Sequence, residues 1–363
     1  MALKITTIDR YIIRKFIGTF FFALALIIVI IIVFDISENI DDFVERKAPL
    51  YDIAFRYYMN FIPFIVNSFS PLFVFITVVF FTSKMAQHSE IIAILSGGMS
   101  FLRMMYPYFI SAAFIWAISL LLNMVVIPPA NAKRLDFEAH YLRKSTNRVF
   151  TRNMHYQVAP GTFMYIEMFN PWDNRADRFT LEQFEGAELK EKITADITRW
   201  DSTENAWVLT NYTRRVIHEN GDSIIRGERK VLNLSVGIED LKQYKDVTKT
   251  LNMFALNKYI EELKRRGDRS VKTALIEKNT RIAVPFSAFI LSLIGVSLSS
   301  RKVRGGIGLK IGIGVALSFS YILFLRFSEM FVHGDTLPPE IALWMPNVIY
   351  SIVAVVLYIQ APK

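Results

Sequence analysis

The sequence predicts an α-helical membrane protein with six transmembrane helices and an antiparallel β domain inserted between the third and the fourth. Of its 363 residues 52% are hydrophobic and only 21% are charged. Soluble domains are typically about 45–50% apolar and about 25% charged, so this composition is shifted towards lipid. The apolar residues are also gathered into stretches of about 20 residues, the helical length that crosses a hydrocarbon core of about 30 Å.

Six apolar stretches meet that length. The first, 16–34, has no charged residue, exceeds the core of a signal peptide (about 7–15 residues) and precedes no small-x-small cleavage site, which predicts an uncleaved span. Pro128 and Pro129 are predicted to end the third span, because neither ring can donate a backbone hydrogen bond. The other predicted spans are 57–82, 104–127, 282–300, 309–332 and 341–360.

Lysine and arginine in the short loops predict the orientation, because they concentrate on the cytoplasmic side of membrane proteins. An orientation with both termini cytoplasmic puts most short-loop basic residues inside and most acidic ones outside. The net charge of +9 then reflects membrane topology and does not indicate a nucleic-acid partner. The predicted inside residues are Lys4, Arg10, Arg14, Lys15, Lys84, Arg103, Arg301, Lys302, Arg304, Lys310 and Lys363.

The segment between spans three and four has a different pattern. Ile193, Ala195 and Ile197 alternate with polar residues, as in a half-buried strand. Asn220-Gly221 is a hairpin signal, since a type I′ turn needs positive φ at its central positions. Further strands are predicted at 154–158, 162–169, 206–212 and 224–234, and an amphipathic helix at 255–266. The predicted domains are helices one to three (1–129), the extracytoplasmic β domain (130–254), and the connecting helix with spans four to six (255–363).

No enzyme or cofactor site is predicted. The sequence has no phosphate-binding G-x-x-x-x-G-K-[ST] motif, its five histidines are never spaced i, i+4, and no G-x-S-x-G elbow occurs. It also contains no cysteine, which excludes disulfides, thiolate metal sites and cysteine nucleophiles.

The loop after span two, 83–98, is predicted to form a short amphipathic helix ending at Gly97-Gly98. One interpretation is an interfacial segment that fills space beneath the bundle. The other is a helix that docks into a groove of a cytoplasmic partner. The predicted apolar face comprises Met85, His88, Ile91, Ile92 and Leu95.

Four motifs resemble the LptF/LptG family, the permeases of the lipopolysaccharide-export ABC transporter. Residues 89–100 (SEIIAILSGGMS) resemble its cytoplasmic S-E…S-G motif, and Ile8-Asp9-Arg10-Tyr11 resembles its LDRY start. Pro285 with the basic loop 301–306 (RKVRGG) resembles its fourth span, and residues 337–347 (LPPEIALWMPN) resemble its entry to span six.

The resemblance implies a permease that takes lipopolysaccharide from the outer leaflet of a bacterial inner membrane. Implied partners are a cytoplasmic ABC ATPase dimer, a second LptF/LptG-type permease and periplasmic jellyroll bridge proteins. The β domain would be a periplasmic, jellyroll-like fold, and no cofactor is implied for this chain. Glu90 matches the family's acidic interface residue. The residues predicted to couple the loop to the ATPase are His88, Ser89, Glu90, Ile91, Leu95 and Gly97.

Arg326 and Glu329 are the only ionisable residues deep inside a predicted span, where charge is costly. Three residues apart on a helix, they could neutralise each other. Alternatively, Arg326 binds a lipid A phosphate, since guanidinium stays charged and binds oxyanions with two donors. Arg56 and Arg281, at the outer ends of spans, are weaker candidates and suit headgroup anchoring better.

Apolar residues of the β domain have two interpretations as well. They could line an open groove for acyl chains, or they could form a closed sandwich core, which the same alternation favours. The predicted inward residues are Phe163, Tyr165, Ile193, Ile197, Trp207 and Leu209.

Three functions therefore remain open from sequence. The first is a permease subunit of an ATP-driven lipid extractor. The second is a mechanotransmission or scaffold protein that carries no lipid. An ion-coupled secondary transporter is disfavoured, because the spans show no chain of acidic residues and no inverted repeat.

Overall fold

Six helices of the computed structural model are long and apolar enough to cross a membrane: Thr7–Glu45, Asp52–Gln87, Phe101–Tyr141, Val271–Ser299, Gly308–His333 and Pro339–Gln360. A six-stranded antiparallel sheet is inserted between the third and the fourth, which confirms the predicted fold class. The structure describes residues 5–142, 151–170, 173–202, 204–218, 221–237, 241, 247–266, 268, 270–300 and 306–361. The predicted turn residue Asn220 and five of the predicted inside residues lie outside these ranges: Lys4, Arg301, Lys302, Arg304 and Lys363.

The chain divides into a helical unit, Met1–Leu142 with Thr248–Lys363, and a β unit, Arg143–Val247. Charged turns extend several helices beyond the predicted apolar stretches, because hydropathy marks only the part of a helix that suits lipid. The helices are α1 (Thr7–Glu45), α2 (Met59–Gln87), α3 (Glu90–Ser96), α4 (Phe101–Leu121), α5 (Ile127–Tyr141), α6 (Val247–Thr250), α7 (Met253–Arg266), α8 (Val271–Ser299), α9 (Gly306–His333) and α10 (Pro339–Gln360).

The third span does not end at Pro128 and Pro129, as the sequence predicted. A π-helical turn, Leu122–Val126, precedes the two prolines, and the backbone N–H of Ile127 donates to the carbonyl of Leu122, five residues back. Both prolines then fall in the first turn of α5, where a missing N–H costs little. The helix therefore continues to Tyr141.

The predicted loop helix 83–98 is two pieces. The helix of span two continues to Gln87, and Ser89 has the left-handed conformation (φ 59°), which separates it from α3. Gly97 caps α3 at its C-terminal end, as predicted. Ile91 is buried, whereas Ile92 is 51% exposed, so the two do not share the predicted apolar face.

The β unit is one sheet in which the strands follow chain order and each neighbouring pair is antiparallel. The sequence did not predict β3, because its charged residues hide the alternation. β5 and β6 form the predicted hairpin, but Gly221 pairs with His218 and begins β6, so it is not a central turn residue as predicted. The strands are β1 (Thr151–Ala159), β2 (Thr162–Asn170), β3 (Arg175–Glu185), β4 (Glu188–Asp201), β5 (Ala206–His218) and β6 (Gly221–Leu232).

The helix α7 follows the β unit and has the predicted amphipathic pattern. Its buried residues Leu256, Ile260 and Leu263 pack with Ala274 of α8. This apolar layer joins the returning chain to the start of span four.

Candidate functional sites

A buried ion pair joins the first turn of α1 to the first turn of α4. Asp9 is completely buried, and the guanidinium of Arg103 donates to both carboxylate oxygens, at 2.7 and 2.5 Å. Asp9 also caps α1, because its Oδ2 accepts from the backbone N–H of Thr6 at 2.7 Å and from the Thr6 hydroxyl at 2.9 Å. Paired and fully hydrogen-bonded, this carboxylate meets the conditions under which a buried charge is tolerated.

A second polar contact joins α1 to α3. The hydroxyl of Tyr11 donates to Oε2 of Glu90 at 3.1 Å, and Nδ1 of His88 lies 3.8 Å from Oε1 of the same carboxylate. We call Asp9, Tyr11, His88, Glu90 and Arg103 the loop cluster. Its members come from three separate segments of the chain. Two residues of the LDRY-like start take part: Asp9 contacts Arg103, and Tyr11 contacts the predicted coupling residue Glu90.

The predicted coupling residues take different places around α3. Glu90 keeps 36% of its side chain exposed and His88 keeps 60%, so both can meet a partner. Ile91 is 1% exposed and belongs to the core of the helical unit, where it anchors α3 to the bundle. Leu95 is half-buried against the same core. The seven-residue helix α3 is therefore packed against the bundle on one side, and its first residue, Glu90, is a partly exposed carboxylate.

Arg326 and Glu329 form the predicted pair within α9. Nη1 of Arg326 lies 2.9 Å from Oε1 and 3.1 Å from Oε2 of Glu329. The Arg326 side chain is nevertheless 70% exposed, whereas Glu329 is 20% exposed. The pair exists, and it leaves most of the guanidinium surface uncovered by this chain.

Arg281 has a different role from the predicted headgroup contact. Its side chain is 3% exposed, and it pairs with Glu277 at 2.8 Å. It also donates to the backbone carbonyls of Leu251 at 2.7 Å and Thr248 at 2.8 Å. These bonds tie α8 to the segment that returns from the β unit, so the side chain is not presented to a ligand. The sequence predicted that Arg281 would lie at the lipid headgroups, but tertiary packing buries it.

Arg56 lies in the π-helical segment Asp52–Tyr58 that precedes α2. It pairs with Asp52 at 3.4 Å, and its side chain is 63% exposed. Exposed pairs of this kind contribute little to stability, so the position remains compatible with headgroup anchoring.

Two asparagines of the helical unit donate to backbone carbonyls near the proline of span four, and the sequence analysis assigned neither of them a contact. Pro285 lacks the N–H that would bond the carbonyl of Arg281, and Asn123 donates to that carbonyl at 3.3 Å. On the other side, Asn347 donates to the carbonyl of Ala283 at 2.8 Å. Both asparagines are buried. Asn123 gives the Arg281 carbonyl a donor in place of the N–H that Pro285 lacks, and Asn347 adds a side-chain hydrogen bond to the Ala283 carbonyl nearby.

The predicted inward residues of the β unit do not all share one face. Trp207, Leu209 and Ile193 are buried, as predicted. Phe163 is 41% exposed and Tyr165 is half-buried, because the buried residues of β2 are their neighbours Met164 and Ile166. The prediction that Phe163 and Tyr165 point inward is therefore wrong.

The reason is a break in the alternation that runs across the sheet. Ile166 and Phe169 are both buried, although they are three residues apart, and so are Ala195 and Thr198 of β4. The break coincides with positive φ at Arg178 in β3 and at Asn211 in β5. Strict period two needs an uninterrupted extended backbone, so Ile197 is only half-buried and Thr198 takes the inward position.

No group of three or more metal-ligating side chains occurs among the described residues. An apolar groove of about 470 Å³ lies between α8 and α10, lined by Phe286, Trp344, Val348, Ile352 and Val355 among others. Its chemistry is that of a surface facing lipid chains.

One comparison with known proteins identifies relatives of the chain. A family model described as "Lipopolysaccharide export system permease LptF/LptG" matches residues 10–360, nearly the whole chain. No curated protein sequence is similar enough to be counted as a match.

Proposed function

Since the chain belongs to the LptF/LptG family of lipopolysaccharide export permeases, we propose that it extracts lipopolysaccharide from the outer leaflet of the inner membrane and passes it to a periplasmic bridge. A separate ATPase dimer supplies the energy, and a second permease of the same type completes the transport path. The chain is a multi-pass inner-membrane protein with both termini in the cytoplasm and its β unit in the periplasm.

The observation that carries this proposal is the loop cluster. The helix α3 is fixed to the bundle through buried Ile91 and presents a partly exposed carboxylate at Glu90. A short helix between two spans, packed through Ile91 and carrying an exposed carboxylate, suits a basic groove on a cytoplasmic ATPase, the helix-in-groove mode of recognition.

Two further features support lipid handling. Arg326 lies within a predicted span, this chain leaves 70% of its side chain exposed, and its guanidinium is our candidate for binding a lipid A phosphate. In the β unit, Ile193, Trp207 and Leu209 lie on the buried side and Ile197 beside it, and these four remain the candidates for contact with acyl chains.

Copurification and transfer test the proposal. The chain is isolated in mild detergent, and the complex is reconstituted with lipopolysaccharide to follow ATP-dependent transfer to a soluble periplasmic acceptor. We expect a nucleotide-binding subunit and a second six-span permease to copurify, and transfer to require ATP. A lone chain without associated ATPase would refute the proposal. ATPase association without transfer would favour a mechanotransmission role.

A charge reversal tests the contact itself. Glu90→Lys should abolish ATPase association, whereas Glu188→Lys in the β unit, a matched charge reversal, should not.

A further inference from the structure

The polar contacts of the loop cluster connect the first span to α3, over 79 residues of sequence, and to the first turn of α4, over 94 residues. We infer that the first turn of α1 is a positioning element of the coupling site. Tyr11 orients the Glu90 carboxylate, and the Asp9–Arg103 pair fixes α1 to the same assembly, so that displacement of α3 moves span one. This inference rests on the proposed function, because it assumes an ATPase acting on α3.

The Asp9–Arg103 pair holds the starts of α1 and α4 together in a defined geometry. Both carboxylate oxygens accept from the guanidinium, and Thr6 supplies two further bonds to Oδ2. Two parallel N–H···O bonds fix direction as well as distance. Asp9 is completely buried, so separating the pair would leave an uncompensated charge, and the two helix starts therefore move together.

Tyr11 sets the direction of the Glu90 carboxylate. The Nζ of Lys15, one turn further along α1, lies 5.4 Å from the centre of the Tyr11 ring and restricts it from one side. The hydroxyl holds Oε2 of Glu90 while His88 faces Oε1. The carboxylate is thereby preorganised, and its remaining exposure leaves room for a partner's cation.

Apolar packing reinforces the same connection. Ile12 and Phe16 of α1 are buried in one core with Ile91 of α3 and Phe101 of α4. Beyond Leu24 the packing changes, since no residue of α1 from 25 to 38 is buried, all of them being described. The N-terminal part of span one is thus buried against the same core as α3 and α4. Its middle part packs only partly, through Ile27 and Ile32, before Asp35 accepts hydrogen bonds from Tyr57 and Tyr58.

The test measures coupling in the complete complex of ATPase and both permeases, with lipopolysaccharide in the membrane. Tyr11→Phe removes one hydroxyl and keeps the ring over Lys15. We expect it to leave assembly and basal ATP hydrolysis unchanged and to lower lipopolysaccharide transferred per ATP at least about ten-fold, the effect of one lost hydrogen bond to a charged group. Tyr106→Phe makes the same chemical change nearby and should leave this ratio unchanged.

A second readout follows the movement itself. The chain contains no cysteine, so a nitroxide on Phe34→Cys, in the exposed part of α1, is a unique probe. ATP binding should change its distance to a probe on the ATPase, and Asp9→Asn should reduce that change by half or more.

If both variants keep the normal transfer ratio and the normal displacement, the inference is wrong while the proposed function stands. Loss of assembly in Tyr11→Phe would also overturn it, because Tyr11 would then be structural. A wild-type complex that binds no ATPase would instead refute the proposed function.

Discussion

Arg281 and Arg326 have similar sequence neighbours but differ in how far the folded chain buries their side chains. Each belongs to a long apolar helix, and each pairs with a glutamate within one turn of its own helix. Arg281 is 3% exposed and also bonds two backbone carbonyls of another segment, whereas Arg326 is 70% exposed and bonds only Glu329 among the described residues. The difference shows that a sequence alone does not tell which arginine of a span is enclosed by packing; the exposed Arg326 is the one that we propose for ligand binding.

The largest expected effect is that of Arg281→Ala. Removing a buried guanidinium leaves Glu277 and the carbonyls of Thr248 and Leu251 without their donor. We expect a loss of roughly 3–5 kcal/mol in the free energy of unfolding, the usual cost of breaking a buried pair. Thermal unfolding in detergent measures it. Arg281→Lys should recover only part of the loss, since an ammonium cannot reach all three acceptors. An unchanged midpoint in Arg281→Ala would contradict the assignment of a structural role.

Arg326→Ala should leave the fold intact and impair transport. A guanidinium that meets a phosphate contributes about 1.5–3 kcal/mol, which predicts a loss of transfer rate of at least about ten-fold. The measurements are thermal unfolding, copurification of the partner subunits and ATP-dependent lipopolysaccharide transfer. Normal crosslinking to lipopolysaccharide and normal growth in this variant would discard the role of Arg326.

Glu329→Gln distinguishes a ligand site from a self-neutralising pair. If Arg326 only neutralises Glu329, the double variant Arg326→Ala with Glu329→Gln should transport normally. We expect no such rescue. The single Glu329→Gln variant should stay within about two-fold of wild type, since an exposed pair of this spacing contributes only a few tenths of a kcal/mol. The same transfer measurement on the three variants gives the answer.

The smallest effect concerns a third arginine pair, which lies in the β unit. Arg214 donates to both oxygens of Glu191 at 2.7 Å, and this bond to the guanidinium lowers the pKa of Glu191 from its usual 4.5. A lowered native pKa adds stability that is present above pH 4.5 and is lost as the pH falls below it. The side chains are 37% and 20% exposed, so solvent screening limits the gain to less than about 1 kcal/mol.

Hydrogen exchange of β4 and β5 in the full chain, followed from pH 6 to pH 3, measures this effect. Exchange in wild type should accelerate relative to Glu191→Gln as the pH falls, because only wild type has the carboxylate to protonate. Equal pH dependence in the two proteins would show that the pair adds no stability.

Parts of the candidate site were readable from the sequence, and parts were not. Thr6 and Asp9 have the spacing of a helix cap, and Gly97 has the position of a helix stop. Neither Arg103 as the partner of Asp9 nor Tyr11 as the partner of Glu90 could be predicted, because those residues are far apart in the chain. The same limit applies to Asn123 and Asn347, which donate to the carbonyls of Arg281 and Ala283 from distant parts of the chain. Pro285 removes the usual donor of the Arg281 carbonyl only.

The sequence by itself determined the six spans, the inserted sheet and the family, since each depends on local hydropathy, alternation or short motifs. Only the tertiary structure decided which arginine is buried, where the strands change their inward face and which residues meet in the loop cluster. Hydropathy and periodicity are properties of neighbours along the chain, whereas burial and hydrogen-bond pairing are properties of neighbours in space.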